Sequence, residues 1–277
     1  MARRQARVRR VGAFAHVTGV SSCRLGLSMT LLDDRIYPTD NKNPVRSMGH
    51  IESLSLEELL SWTESTQAIE RSIGIAAVNS CLDLAAHRYF AGNALDFIAR
   101  RAAGKNVVVV GHFPHTDPIR QSAKSFKVLE RRPQADDLPA AEFINVVPEA
   151  DILAMTGVTC LNDTMEELLA HKRPDAICVA LGPTAPLSPA LFAAGVDVIG
   201  SAWIEDLPDV WSMLAQGGTA RTLRHFHPVL MPRDPSWLAG WPEAFPPPDD
   251  PDALASGSEH RPCATAVRSS GSPCSAD

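Results

Sequence analysis

From Gly104 onward the chain alternates short apolar, β-branched runs with helical segments, and this alternation restricts its fold more than any other feature. Asn106–Val110 is a continuous β-branched run, the signature of a strand buried on both faces. Similar runs recur at Phe126–Glu130, Asp151–Thr156, Ala176–Leu181 and Val196–Gly200, with helical segments between most of them, notably Thr164–His171 and Pro189–Ala194. Strand–helix–strand repetition at this spacing predicts right-handed crossovers and a parallel, Rossmann-like sheet over residues 104–227.

Residues 11–103 read as a separate small α+β domain. Residues 14–32 alternate and carry turn glycines at 19 and 26, predicting a hairpin whose second strand lies near Leu25–Leu32. Breakers fill residues 33–50. Ser55 and Glu58 form a capping box ahead of a helix. A second helix, Ala68–Leu84, puts Ile69, Ile73, Ala76, Ala77 and Ser80 on one stripe, small enough for close packing. The overall expectation is an α/β chain with four parts: a basic arm (1–10), the α+β domain (11–103), the Rossmann-like domain (104–227) and a proline-rich acidic tail (228–277), largely disordered. That tail holds 10 of the 22 prolines, too many for helix interiors or central strands.

Composition narrows the function classes. The net charge of −6 argues against a dedicated nucleic-acid surface, and no run of 18 apolar residues is present to span a membrane. Six cysteines without a CxxC pair read neither as a disulfide scaffold nor as a structural zinc site. The five arginines of residues 1–10 followed by Val11–Val20 have a weak likeness to a secretory signal, with Ser21-Ser22-Cys23 as a poor lipoprotein box. A solvated basic arm is the simpler reading, and the expected location is cytoplasmic.

In an open parallel sheet ligands bind beyond the carboxyl ends of the strands. After the first strand comes Gly111-His112-Phe113-Pro114-His115-Thr116-Asp117, which has one glycine and no dinucleotide fingerprint. His112, His115 and Asp117 have donor types that suit a divalent metal, although ordinary loop hydrogen bonds explain them equally well. Glu130 ends the second strand 19 residues after Gly111, near the offset of a ribose-binding acid, with pairing to Arg131, Arg132 or Lys127 at the surface as the alternative. After the third strand, Thr164 and Glu167 form a second capping box, whereas Gly157, Thr159 and Asn162 face the ligand side with no evident structural duty. Cys160 reads as a small buried residue rather than a nucleophile. After the fourth strand, Gly182, Pro183 and Thr184 repeat the pairing of glycine with a hydroxyl, and Ser188-Pro189 starts a helix that Gly195 ends. Glu205 and Asp206 follow the fifth strand.

Several of these segments, in order, resemble one family. The helix run Ile69-Glu70-Arg71-Ser72-Ile73-Gly74-Ile75-Ala76-Ala77-Val78-Asn79, the strand end Val110–His115, Leu138–Phe143 and the segment Gly182–Gly195 are similar to motifs of the heavy-metal chelation family. The resemblance covers roughly Gly26 to Gly218; the residues before Gly26 do not share it clearly. Family members commonly carry Ser or Thr around Val158. The resemblance implies a small enolase N-terminal-like domain joined to the Rossmann-like one, with a ligand cleft between them. It does not imply enolase chemistry, because the barrel of enolases has no counterpart here.

Together these readings predict a protein that binds a small molecule or metal complex, a divalent metal or metal chelate being the implied cofactor. His112 and Glu130 would bind polar groups, Thr159, Asn162 and Thr184 would donate hydrogen bonds, and Phe113, Pro114, Gly157, Thr164, Gly182 and Pro183 would complete the ligand-binding set. Asn79 would reach across from the other domain. The rival is an enzyme using S-adenosylmethionine or an adenine nucleotide, and the third reading is a non-catalytic interaction module. Nucleic acid and membrane are not expected partners; a homodimer is.

Overall fold

The structure is a computed structural model that describes residues 2–32, 45–134 and 136–246. It is a mixed α/β fold with a mostly parallel central sheet. Three strands, β1 (Arg10–Ala13), β2 (Val17–Ser21) and β3 (Leu25–Met29), form an antiparallel meander. Helices α1 (Leu56–Ser61) and α2 (Ala68–Cys81) pack on it, burying Val20, Leu56, Leu59, Trp62, Ile73, Ala76 and Ala77 in one core. The capping box forms as predicted: Glu58 N donates to Ser55 Oγ, and Ser55 N donates to Glu58 Oε2.

Helix α2 stops three residues before the predicted Leu84, because its last carbonyls have other donors. Arg24 N takes the carbonyl of Ser80 at 3.2 Å, and Arg3 Nη1 takes that of Leu82 at 3.1 Å. Ser22 and Ser80 also hydrogen-bond through their hydroxyls at 2.6 Å. The solvated-arm expectation for residues 1–10 is corrected by the same contacts. Arg3 pairs with Asp83, Val8 is buried, and Arg9 N donates to Ser21 O. The apolar stretch 11–20 becomes β1 and β2 of the sheet.

After the short β4 (Tyr89–Ala91) and α3 (Ala94–Ala99), the parallel strands follow: β5 (Asn106–Val110), β6 (Ser125–Glu130), then, past the two-residue β7 (Leu138–Pro139), β8 (Ile152–Thr156), β9 (Ile177–Leu181) and β10 (Val198–Ile204). Between them run α4 (Asp117–Ser122), α5 (Phe143–Val146), α6 (Met165–His171) and α7 (Pro189–Ala194). All five expected strands and both named helical segments are present, within a residue or two except that β10 extends to Ile204. Strand alternation divides the core into two layers. Val108, Leu153 and Met155 face one side of the sheet, and Val107, Val109, Ile152 and Ala154 face the other.

The five parallel strands run β10-β9-β8-β5-β6 across the sheet. The chain leaves β5 in one direction to reach β6 and returns on its other side for β8, which makes the β5/β8 boundary a topological switch point. The long β10 joins the two halves. Its start pairs with β9 (Val198↔Val179) and its end with β3 (Ile204↔Leu25).

The tail boundary at 227/228 is corrected, since it falls inside β11 (Phe226–Pro232), which follows α8 (Pro208–Ala215) and pairs with β10 and β4. Proline does not prevent this pairing, because β4 covers only Val229 and Leu230, leaving Pro228 and Pro232 outside the doubly paired stretch. Beyond it Leu238 is buried, β12 (Glu243–Ala244) pairs with β4, and Arg100 stacks on Trp241 at 4.5 Å. Residues 228–246 therefore belong to the body. The rest of the tail, 247–277, lies outside the described residues.

Candidate functional site

The carboxyl ends of β5, β6, β8, β9 and β10 open into one cavity of about 880 Å³. This lies within the range of pockets for small molecules and cofactors. Its floor and walls are largely apolar, from Val110, Leu129, Phe143, Leu168, Leu181 and Phe226. Met29, the last residue of β3, brings the meander to its edge.

Most predicted site residues meet here. His112, Phe113, Pro114 and His115 come from the loop after β5, and Glu130 from the end of β6. Thr159, Asn162 and Thr164 come from the loop after β8, and Gly182, Pro183 and Thr184 from the loop after β9. Asn79, Gly157 and Asp117 do not line the cavity. Asn79 does cross from α2 to the parallel sheet, but its Nδ2 is spent on the carbonyls of Leu27 (2.8 Å), Pro183 (3.2 Å) and Thr184 (3.4 Å). Gly157 serves packing: a Cβ there would stand 2.3 Å from Ala185 N, so only glycine lets the loops after β8 and β9 touch. Asp117 sits in the first turn of α4.

The hydroxyls near β8 and β9 have structural duties that the sequence did not reveal. Thr156 Oγ1 accepts from Val158 N, and Thr159 Oγ1 donates to Thr156 O at 2.7 Å. Asn162 closes the same loop, its amide nitrogen facing the carbonyls of Val158 (3.2 Å) and Thr159 (3.3 Å) and Thr164 Oγ1 (2.7 Å), among which its two N–H groups are shared. The predicted second capping box is corrected accordingly. Thr164 makes no side-chain cap to α6, because its backbone is helical rather than extended, and its hydroxyl turns to Asn162 instead. Thr184 Oγ1 accepts Met29 N at 2.9 Å, tying β3 to the loop after β9.

Glu130 bridges two backbone N–H groups. Its Oε2 accepts His112 N at 3.0 Å and its Oε1 accepts Arg131 N at 2.7 Å. The side chain of His112 is directed by a residue not singled out from the sequence. Its Nδ1 lies 3.2 Å from Asp137 Oδ2, a carboxylate only 5% exposed that also accepts Gln134 N. Arg131, Arg221, Glu167, Ser201 and Asn93 also line the cavity. Arg131 is adjacent to Glu130 in the sequence, so the end of β6 carries it to the cavity as well. Arg221 lies beyond α8, in a segment with no local signal.

The metal triad is corrected. His112 is turned onto Asp137, His115 holds a left-handed backbone (φ 60°), and Asp117 is off the cavity. Among the described residues no three His, Cys, Asp or Glu side chains are grouped to hold an ion. Burial pushes the Cys160 thiol up to about 11, and its Sγ lies 3.7 Å from Met165 Sδ, the surroundings of a packing residue. Glu205 and Asp206 face elsewhere. Glu205 bonds His227 at 2.9 Å, and Asp206 accepts Trp211 Nε1 at 2.7 Å.

Comparison with known proteins agrees with this architecture. Two family models, both described as "Putative heavy-metal chelation", match residues 1–82 and 93–228. The first of these ranges includes the residues before Gly26, where the motif resemblance was unclear. An uncharacterized protein of Methanocaldococcus jannaschii is 29% identical over 198 residues, covering 66% of this chain and 71% of its own length. A crystal structure of a DUF364-family protein of unknown function from Desulfitobacterium hafniense superposes with a TM-score of 0.69 at 21% identity, covering 83% of this chain and 94% of the other. A second such protein, from Pyrococcus horikoshii, gives a TM-score of 0.66 at 19% identity, covering 81% and 92%. With both models matched in order along one chain and the same fold found in these proteins, the chain belongs to the heavy-metal chelation family.

Proposed function

We propose that this protein binds a small polar ligand or a metal complex in the cavity between the β1–β3 meander and the parallel sheet. The observation that carries the reading is the position of the roughly 880 Å³ cavity, over the carboxyl ends of β5 and β8 where the strand order switches. Loops from both strands, and from β9, bring polar groups to an otherwise apolar space. The alternative is a nucleotide-dependent enzyme with Glu130 as a ribose acceptor. Each oxygen of that carboxylate accepts one backbone N–H, which halves its capacity for a ribose hydroxyl and favours the first reading.

Native mass spectrometry of untagged protein should reveal a co-purified small molecule. A thermal-shift panel should respond to metal chelates and not to adenosine-containing compounds. A ligand at 100 times its Kd stabilises by about 2.7 kcal/mol, which is readily detected. No co-purified species and no shift with any compound would sink the reading in favour of an interaction module. A shift with adenine nucleotides alone would favour the enzyme.

A further inference from the structure

A bare divalent ion is normally held by three or four protein donors, and no such group exists among the described residues. The residues therefore do not fit the naked ion that heavy-metal chelation would most simply imply. What they provide is a spacious, largely apolar cavity with two imidazoles on its wall, His112 and His115, the first of them oriented by a buried carboxylate. His112 gives its Nδ1 edge to the buried carboxylate of Asp137 at 3.2 Å. His112 lines the cavity and Asp137 does not, so Nε2, on the opposite edge of the ring, is the nitrogen left for a ligand. A carboxylate on Nδ1–H fixes the tautomer and places the lone pair on Nε2. Metal-bound histidines are oriented in the same way. Arg131 and Arg221 line the same cavity, and neither side chain is ion-paired among the described residues.

We infer that the protein takes its metal already wrapped in an anionic organic chelator, and that His112 Nε2 supplies a single coordination bond. The chelator's apolar body packs on Phe143, Leu181 and Phe226, and its carboxylates face Arg131 and Arg221. The Nε2 lone pair displaces one water from an open position on the metal. No electron is transferred and no other bond breaks. The inference rests on the proposed function, since it specifies what occupies that cavity.

Copper(II) pyridine-2,6-dicarboxylate is a suitable probe, being flat, aromatic and carboxylated with one in-plane position open. Titration followed by electron paramagnetic resonance and calorimetry should give one complex per chain, with hyperfine coupling to a single imidazole nitrogen. His112→Ala should remove that coupling and weaken binding at least about tenfold. Asp137→Asn should weaken it by about 10- to 100-fold with the fold retained. His50→Ala, an exposed histidine that does not line the cavity, should change nothing. His112→Gln, checked by circular dichroism, provides a second variant should the alanine fail to fold. The inference is overturned if the chelate does not bind, if His112 variants bind like the wild type, or if free copper(II) gives the same His112-dependent signal. If the metal-free dicarboxylate or a co-purified molecule still shifts the melting temperature, the cavity reading survives and only the metal inference falls.

Discussion

Arg71 on α2 places its two terminal nitrogens on the two carboxylate oxygens of Asp163 in the loop after β8, with Nη1 to Oδ2 at 2.6 Å. This fork ties the helix of the meander to the loop that walls the cavity. Asp163 adopts φ 59° to meet it, a left-handed conformation that aspartate tolerates better than most residues.

The pair predicts an acid-sensitive increment of stability. Hydrogen bonds from Arg71 hold the Asp163 carboxyl below the usual carboxylate range, with desolvation opposing. Because the folded pKa is below the unfolded value near about 3.9, the increment is complete above that pH and lost as pH falls through the folded pKa. With Asp163 75% exposed, Asp163→Asn should cost about 1 kcal/mol or less at neutral pH. Urea denaturation at descending pH checks this, and a wild-type advantage that persists to about pH 2 would contradict it.

Two glycines beside the cavity should fail for opposite reasons. Gly157→Ala has no room, its Cβ falling 2.3 Å from Ala185 N, and should cost about 1–3 kcal/mol or more as the two loops separate. Gly182→Ala has open space but φ 95°, and should cost about 1–2 kcal/mol from backbone strain alone. A crystal structure of each variant separates the two, with displaced loops in the first and an unchanged Ala185 position in the second.

Thr184→Val keeps shape but removes the acceptor of Met29 N. Leaving that amide without a partner should cost about 1–3 kcal/mol. Hydrogen exchange at Met29 should accelerate more than at Val20 in β2, whose burial does not depend on this bond. Equal protection of Met29 in both proteins would show that the bond does not hold β3 in place.

Cys160 should alkylate slowly. With its thiol pushed up to about 11 by burial, it carries about a thousandfold less thiolate than thiol at pH 8, against roughly a quarter ionised for an ordinary thiol of pKa about 8.5. Peptide mapping after iodoacetamide treatment should show labelling about two orders of magnitude slower than for a free thiol. Labelling as fast as a model thiol would restore a nucleophilic role.

The parallel strands were legible because each is a local statement. Val107, Val108 and Val109 are apolar on both faces wherever the strand lies, and both layers of the core use them. Ser55 with Glu58 and Ser188 with Gly195 were legible for the same reason, since caps act within a few residues. Thr164 with Glu167 has the same spelling as the first box. It fails because the backbone at Thr164 is helical where a cap must be extended, and the hydroxyl turns to Asn162, two residues upstream. Prolines 228 and 232 were misleading, because their tolerance depends on how far β4 extends along β11.

The site divides along the same line. That polar residues would collect after β5, β8 and β9 followed from the sequence alone, since a parallel sheet puts its strand ends on one edge. Which of them remain available to a ligand did not follow. Thr159 and Asn162 are bonded within their own loop, Thr184, Asn79 and Glu130 by atoms brought from elsewhere in the fold, and His112 is oriented by Asp137, 25 residues away. Short-range periodicity determines what the elements are. The order of the strands and the contacts between their loops are long-range pairings, and only these decide which side chains share the cavity and which are spent building it.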